Sequence, residues 1–126
     1  MKASVHWTNG TELIGKTESG QELQLDWESG PSPMQVTLQM IGACSLVDVV
    51  MGLKERDFTE VWIECDADRA TDYPRIFTQI RMTYHVCGDV PRTLVERIVE
   101  KSHEKYCSVS NMLSDEVSIS FEVELH

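Results

Sequence analysis

The reactive chemistry available to this chain lies in its thiols. Four cysteines, Cys44, Cys65, Cys87 and Cys107, stand roughly twenty residues apart. No two of them form a CxxC pair, so neither a zinc ribbon nor a thioredoxin-type motif is present. A thiolate is the reactive form, so the surroundings of each cysteine decide its use. Cys44 falls in Ile41-Gly42-Ala43-Cys44-Ser45, where it reads either as a small core hydrophobe or as a shielded nucleophile. Cys107 sits in His103-Glu104-Lys105-Tyr106-Cys107-Ser108-Val109-Ser110, at the join of two helical segments. As the first residue of the last helix it would meet free N–H groups that favour its thiolate; as a junction residue it would only pack. Cys65 shares an apolar strand face with Val61 and Ile63, and Cys87 lies on a polar face beside Gly88. His85 with Cys87, and His103 with Cys107, are half-sites at best, because neither spacing is that of a zinc motif. The sequence therefore predicts no metal and no bound cofactor. It contains no GxSxG, Walker, GxGxxG or HExxH pattern.

These thiols must be positioned by a small set of elements. Three short strands are expected first, at Ala3–Thr8, Glu12–Lys16 and Gln21–Trp27, with Asn9-Gly10 marking a hairpin. Ser32 and Pro33 then suit the cap and first turn of a helix. From Met34 to Leu53 the only charge is Asp48, which predicts a helix of about twenty residues buried nearly all round. Gln35, Thr37, Gln39, Ser45 and Asp48 make it too polar for a membrane span. Two strands follow at Glu60–Ala67 and Ile76–Cys87. A helix runs from Pro91 to about Lys105, a short helix covers Ser108–Leu113, and a last strand covers Val117–Leu125. The order β3-α-β2-α2-β is an α+β arrangement in a single domain, 1–126, around one long buried central helix. One small sheet and two short helices cannot cover that helix on all sides. The packing argument thus predicts an obligate homodimer.

Composition excludes several partners. The chain has 126 residues, 41% hydrophobic and 25% charged, as expected of one globular domain. Its formal net charge of -10 repels phosphate backbones and anionic lipid, so no nucleic acid and no membrane is expected as a partner. The start, MKASVHWTNG, has no apolar run after Lys2, so it does not read as a signal peptide, and a cytoplasmic location is expected.

Two segments together resemble the OsmC/Ohr superfamily. Gly30-Pro31-Ser32-Pro33-Met34, with Met34 ten residues ahead of Cys44 in Gly42-Ala43-Cys44, is similar to the family's opening and cysteine-bearing helix. Glu104-Lys105-Tyr106-Cys107-Ser108-Val109-Ser110 is similar to the segment of its second cysteine. Ser-Pro-Met, Gly-Ala-Cys, Asp-Val-Val and Glu-Lys-Tyr-Cys-Ser-Val resemble most nearly the YhfA-like branch. The resemblance implies an intertwined homodimer acting as a thiol-dependent organic hydroperoxide reductase in oxidative-stress defence. It casts Cys44 as the thiol that attacks the peroxide and Cys107 as the one that closes a disulfide. An external dithiol of the lipoyl type would reset the pair, with no metal or cofactor. The alternative is a dimer of the same fold that senses oxidants or binds a small molecule without turnover. Met34, Gln35 and Asp48 are the residues expected at the substrate pocket, Met34 standing where the family's peroxidases carry glutamate. The family's N-terminal arginine has no counterpart, since no arginine precedes Arg56. Asp48, one helical turn after Cys44, is expected to disfavour the Cys44 thiolate.

Overall fold

The computed structural model describes residues 1–126, which divide into two compact units, 1–37 and 38–126. The first unit holds an antiparallel meander of β1 (Ala3–Asn9), β2 (Glu12–Thr17) and β3 (Glu22–Asp26), in the spatial order β1-β2-β3. The β1–β2 reversal passes through Gly10, whose φ of 54° is the left-handed conformation a tight hairpin demands. Asp26 ends β3 by turning its carboxylate back onto the chain. Its Oδ1 accepts from Thr11 Oγ1 at 2.7 Å and from the amides of Glu28 and Ser29 at 2.9 and 3.0 Å. Those bonds, Thr11's first, hold its carboxyl down to about 2.

Helix α1 (Pro33–Gly52) begins in the first unit and continues into the second. Its start is a capping box. Ser32 Oγ accepts from the Gln35 amide at 3.2 Å, and Gln35 Oε1 accepts from the Ser32 amide at 2.9 Å.

The second unit builds a sheet of β4 (Asp57–Arg69), β5 (Phe77–Asp89) and β6 (Ser118–Leu125), with β5 in the middle. β4 pairs antiparallel with β5, and β6 pairs parallel with it. Helix α2 (Arg92–Lys101) links β5 toward β6 through a π-helical turn, Ser102–Tyr106, and a 3-10 turn, Ser110–Met112. Ile80, Met82, Tyr84 and Val86 of β5 join Val95 and Val99 of α2, Ile41 and Val49 of α1, and Leu53 just after it, in the buried core. Glycine permits the close contacts of α1 in this unit. A Cβ on Gly42 would lie 2.9 Å from Cys65 Sγ, and one on Gly52 would lie 2.7 Å from Ile98 Cδ1.

The class and element order agree with expectation, and three particulars are corrected. α2 stops at Lys101 rather than about Lys105, because the Cys107 amide donates to Ser102 O at 2.7 Å and the chain widens into a π turn. The expected helix Ser108–Leu113 contracts to one 3-10 turn. The third correction concerns α1, expected to be buried nearly all round. Within one chain it buries Val36, Ile41, Gly42, Ser45 and Val49, while Val47 and Met51 are 60% and 58% exposed. A single layer can cover only a single face of a helix. By length and composition α1 passes the test for a membrane span, yet Ser45 and Asp48 within it hydrogen-bond to Ser102.

Candidate functional site

Two of the four thiols are brought together. Cys107, carried at the end of the π turn, is fully buried, and the half-buried Cys44 of α1 lies close enough to push its thiol up. Both are free thiols. Cys65 packs against Gly42 of the same helix, and burial pushes its thiol up. Cys87 is half-buried near the far end of β5.

The turn that carries Cys107 wraps around its sulfur. The Ser110 amide donates to Cys107 Sγ at 3.3 Å, and Asn111 Nδ2 donates to the carbonyls of Cys107 and His103 at 2.8 and 3.1 Å. The sequence allowed Cys107 to open a helix that would favour its thiolate. The structure reverses that balance: burial pushes the Cys107 thiol up, the Ser110 contacts pull it back in part, and Cys44 adds to the rise.

A buried polar chain runs beside the thiols. Ser102 Oγ lies 2.7 Å from Asp48 Oδ2 and 3.0 Å from Ser45 Oγ. Ser102 holds one proton, donated toward the Asp48 carboxylate and shared with Ser45. Ser45 Oγ lies 2.5 Å from Tyr84 OH, and Tyr84 OH lies 2.8 Å from His103 Nε2. His103 Nδ1 lies 3.2 Å from Ser110 Oγ, which also donates to the Cys107 carbonyl at 3.3 Å. Every polar side chain of the chain thus has a partner. Burial, partly opposed by the Asp48 charge, pushes His103 below the ordinary histidine range, and burial pushes the Tyr84 hydroxyl well above the usual phenol range.

The chain starts at α1, crosses to β5, and ends on the turn that holds Cys107. It fixes that turn against α1, where Cys44 is the residue immediately before Ser45. Asp48, expected to act on Cys44, spends its carboxylate on Ser102, and its charge is felt by Tyr84 and His103. Gln35 is exposed and its amide oxygen serves the cap of α1, while Met34 is half-buried in the first turn. Arg81 is tied to Asp66 and Asp68 at 2.8 and 3.0 Å on the outer side of the sheet.

Sequence reading gave no role in the site to Ser45, Tyr84, Ser102 or Ser110, and took His103 only as a metal half-site. The available signal was Ser45 and Asp48, polar residues three apart in an otherwise apolar stretch of helix. Polar groups on a buried stripe need partners elsewhere in the fold.

The comparisons with known proteins agree on one family. Residues 26–122 match the family model described as "OsmC-like protein". The chain is 37% identical over 131 aligned positions to Protein YhfA of Escherichia coli (strain K12), covering 99% of this chain and 98% of that one. Among solved structures, a hypothetical protein from Aquifex aeolicus VF5 is 32% identical with a TM-score of 0.86, over 99% of this chain and 96% of its own. An organic hydroperoxide resistance protein from Elizabethkingia anophelis has a TM-score of 0.75 at 14% identity, over 100% and 97% of the two chains. That last likeness is one of fold.

Proposed function

This chain belongs to the OsmC-like protein family, and on that premise we propose that it is a thiol-dependent organic hydroperoxide reductase. The observation that carries the reading is the unequal pair, an accessible Cys44 beside a sealed Cys107. A peroxide can meet only the first. The Cys44 thiolate attacks the terminal oxygen of ROOH, the O–O bond breaks, and the departing alkoxide takes a proton to leave as ROH. Cys44 is then a sulfenic acid. The Cys107 sulfur displaces the sulfenic oxygen, which leaves as water, and an S–S bond forms. An external dithiol of the lipoyl type reduces that bond by two exchange steps and departs as its own disulfide.

The buried hydroxyl and imidazole chain supports this by holding the Cys107 turn in one place, so that little ordering remains when the disulfide closes. A second copy of the chain covers the exposed apolar face of α1, at Val47, Val50 and Met51. Cytoplasmic thiols, kept reduced between cycles, suit this chemistry.

Continuous consumption of cumene hydroperoxide with dihydrolipoamide tests the reading. The account expects many turnovers per chain, and a single turnover would defeat it. Sedimentation at the mass of one chain would remove the second copy. One observation favours the alternative of a sensor or binder on the same fold. Burial pushes Cys107 up, and no arginine stands before Arg56 to favour a thiolate. A sensor forms one disulfide and stops.

A further inference from the structure

Residue His85, next to Tyr84 in β5, points to the opposite side of the sheet, and the peroxide chemistry does not use it. It stands across from Trp62 on β4 and Glu124 on β6. Its side chain is 8% exposed, unusual for the outer face of a sheet. Trp62 accounts for that burial. Its indole lies over the His85 ring at 4.5 Å and 4°, and over the His126 ring at 5.3 Å and 16°. The backbone of His126 continues the β6 pairing, its amide donating to Val86 O at 2.9 Å.

Three electron-rich atoms converge here. His85 Nδ1 lies 3.0 Å from His126 Nε2 and 3.4 Å from Glu124 Oε2, and one ligand atom from each residue falls within 4.8 Å of the others. On the far side of the ring, His85 Nε2 is 2.8 Å from Glu64 Oε1, but its N–H is out of line and has no aligned hydrogen-bond partner. The two ring nitrogens share a proton when no ion is bound, and the same atoms with the carboxylate oxygen are placed to take a cation instead.

We propose that His85, Glu124 and His126 bind a divalent transition-metal ion of the zinc class, with Glu64 as the outer carboxylate that orients His85. Two imidazoles and one carboxylate are zinc-type donors, whereas magnesium and calcium take oxygen ligands. Metal–nitrogen bonds of about 2.0–2.1 Å in a tetrahedron set ligand atoms roughly 3.4 Å apart. The His85–Glu124 pair already has that spacing, and the exposed His126 ring need open by only a few tenths of an ångström. A carboxylate on the second nitrogen of a ligating histidine is the usual outer contact, since it fixes the tautomer that leaves the other nitrogen free. Trp62 holds both rings nearly parallel. Three protein ligands leave a fourth position for water, and the formal charge of -10 draws cations to the chain.

The test is titration of the reduced full-length chain with zinc, against the Cys44→Ser/Cys107→Ser variant and His126→Ala. The exposed His126 side chain can be removed without opening the core, and circular dichroism checks that the variant is folded. One zinc per chain is expected in the wild type and in the double-serine variant, with loss of that zinc in His126→Ala. Glu64→Gln should weaken it about tenfold or more. Cobalt, bound at the same place, should quench Trp62 fluorescence, and Trp62→Phe should remove the quenching. Absence of stoichiometric zinc would overturn the proposal and leave the cluster as a proton-sharing histidine pair. Zinc that survives His126→Ala would overturn it too, placing the ion on the thiols.

Discussion

Tyr84 and His85 are neighbours in one strand, and each heads a polar cluster on its own side of the sheet. On the inner side, Asp48, Ser102, Ser45, Tyr84, His103 and Ser110 form one chain in which every polar side chain has a partner, and burial favours the neutral imidazole. On the outer side, one imidazole and two carboxylates gather around His85, and one buried ring nitrogen has no aligned partner. The inner cluster is complete as it stands. The outer one sets two imidazoles and a carboxylate within reach of one cation and leaves a buried nitrogen unsatisfied. Burial alone does not separate them, since both central rings are sealed. What separates them is how fully their polar atoms are satisfied, and that distinguishes a scaffold that orders a turn from a receptacle for a cation.

The sharpest way to break the comparison is to remove a thiol. Cys44→Ser should lower peroxide turnover at least about a thousand-fold, as loss of a nucleophile does, while Cys65→Ser should leave it near the wild-type rate. Equal losses in steady-state assays of the two would deny Cys44 its special place.

Next in size is Tyr84→Phe, which deletes one hydroxyl from the middle of the inner chain. Ser45 and His103 lose a shared partner, and urea unfolding should show a loss of about 1–3 kcal/mol. His126→Ala, its counterpart on the outer side, should change stability by no more than about 0.5 kcal/mol in metal-free buffer. The reverse ranking would mean that the outer cluster, not the inner, holds the unit together.

A pH series sharpens the contrast at smaller scale. His103 binds its proton less readily when folded than when unfolded, so the unfolded chain takes up more protons as pH falls. Its contribution to stability is complete above the unfolded value of about 6.5 and drains away as pH drops below it. Thermal melts from pH 8 to pH 5 should show the decline, and His103→Asn should flatten part of it. An unchanged slope in the variant would place the titration elsewhere.

The contrast also shows what a sequence discloses. Alternation in Ile80, Met82, Tyr84 and Val86 marked β5, and Ser32-Pro33 marked the start of α1, because both signals are local. The π turn was not legible. Ser102-His103-Glu104-Lys105-Tyr106 is ordinary helical composition, and a one-residue slip in hydrogen-bond register leaves no trace in residue type. Cys44 and Cys107 were found through resemblance, since spacing alone left each as an open choice between packing and reaction. Tyr84 was hidden by its own alternation, which reads as core. His85 and Glu124 were unrelated in sequence until the parallel pairing of β5 and β6 set them opposite each other. That register depends on how α2 returns the chain, a long-range property that no short window contains.

The central claim is that Cys44 and Cys107 act as one redox pair, and disulfide mapping tests it most directly. The reduced protein should be treated with one equivalent of cumene hydroperoxide, quenched by alkylation and digested for peptide mass spectrometry. The account predicts a Cys44–Cys107 disulfide, with Cys65 and Cys87 recovered as alkylated thiols. Four alkylated thiols, or a disulfide drawn from Cys65 or Cys87, would contradict it.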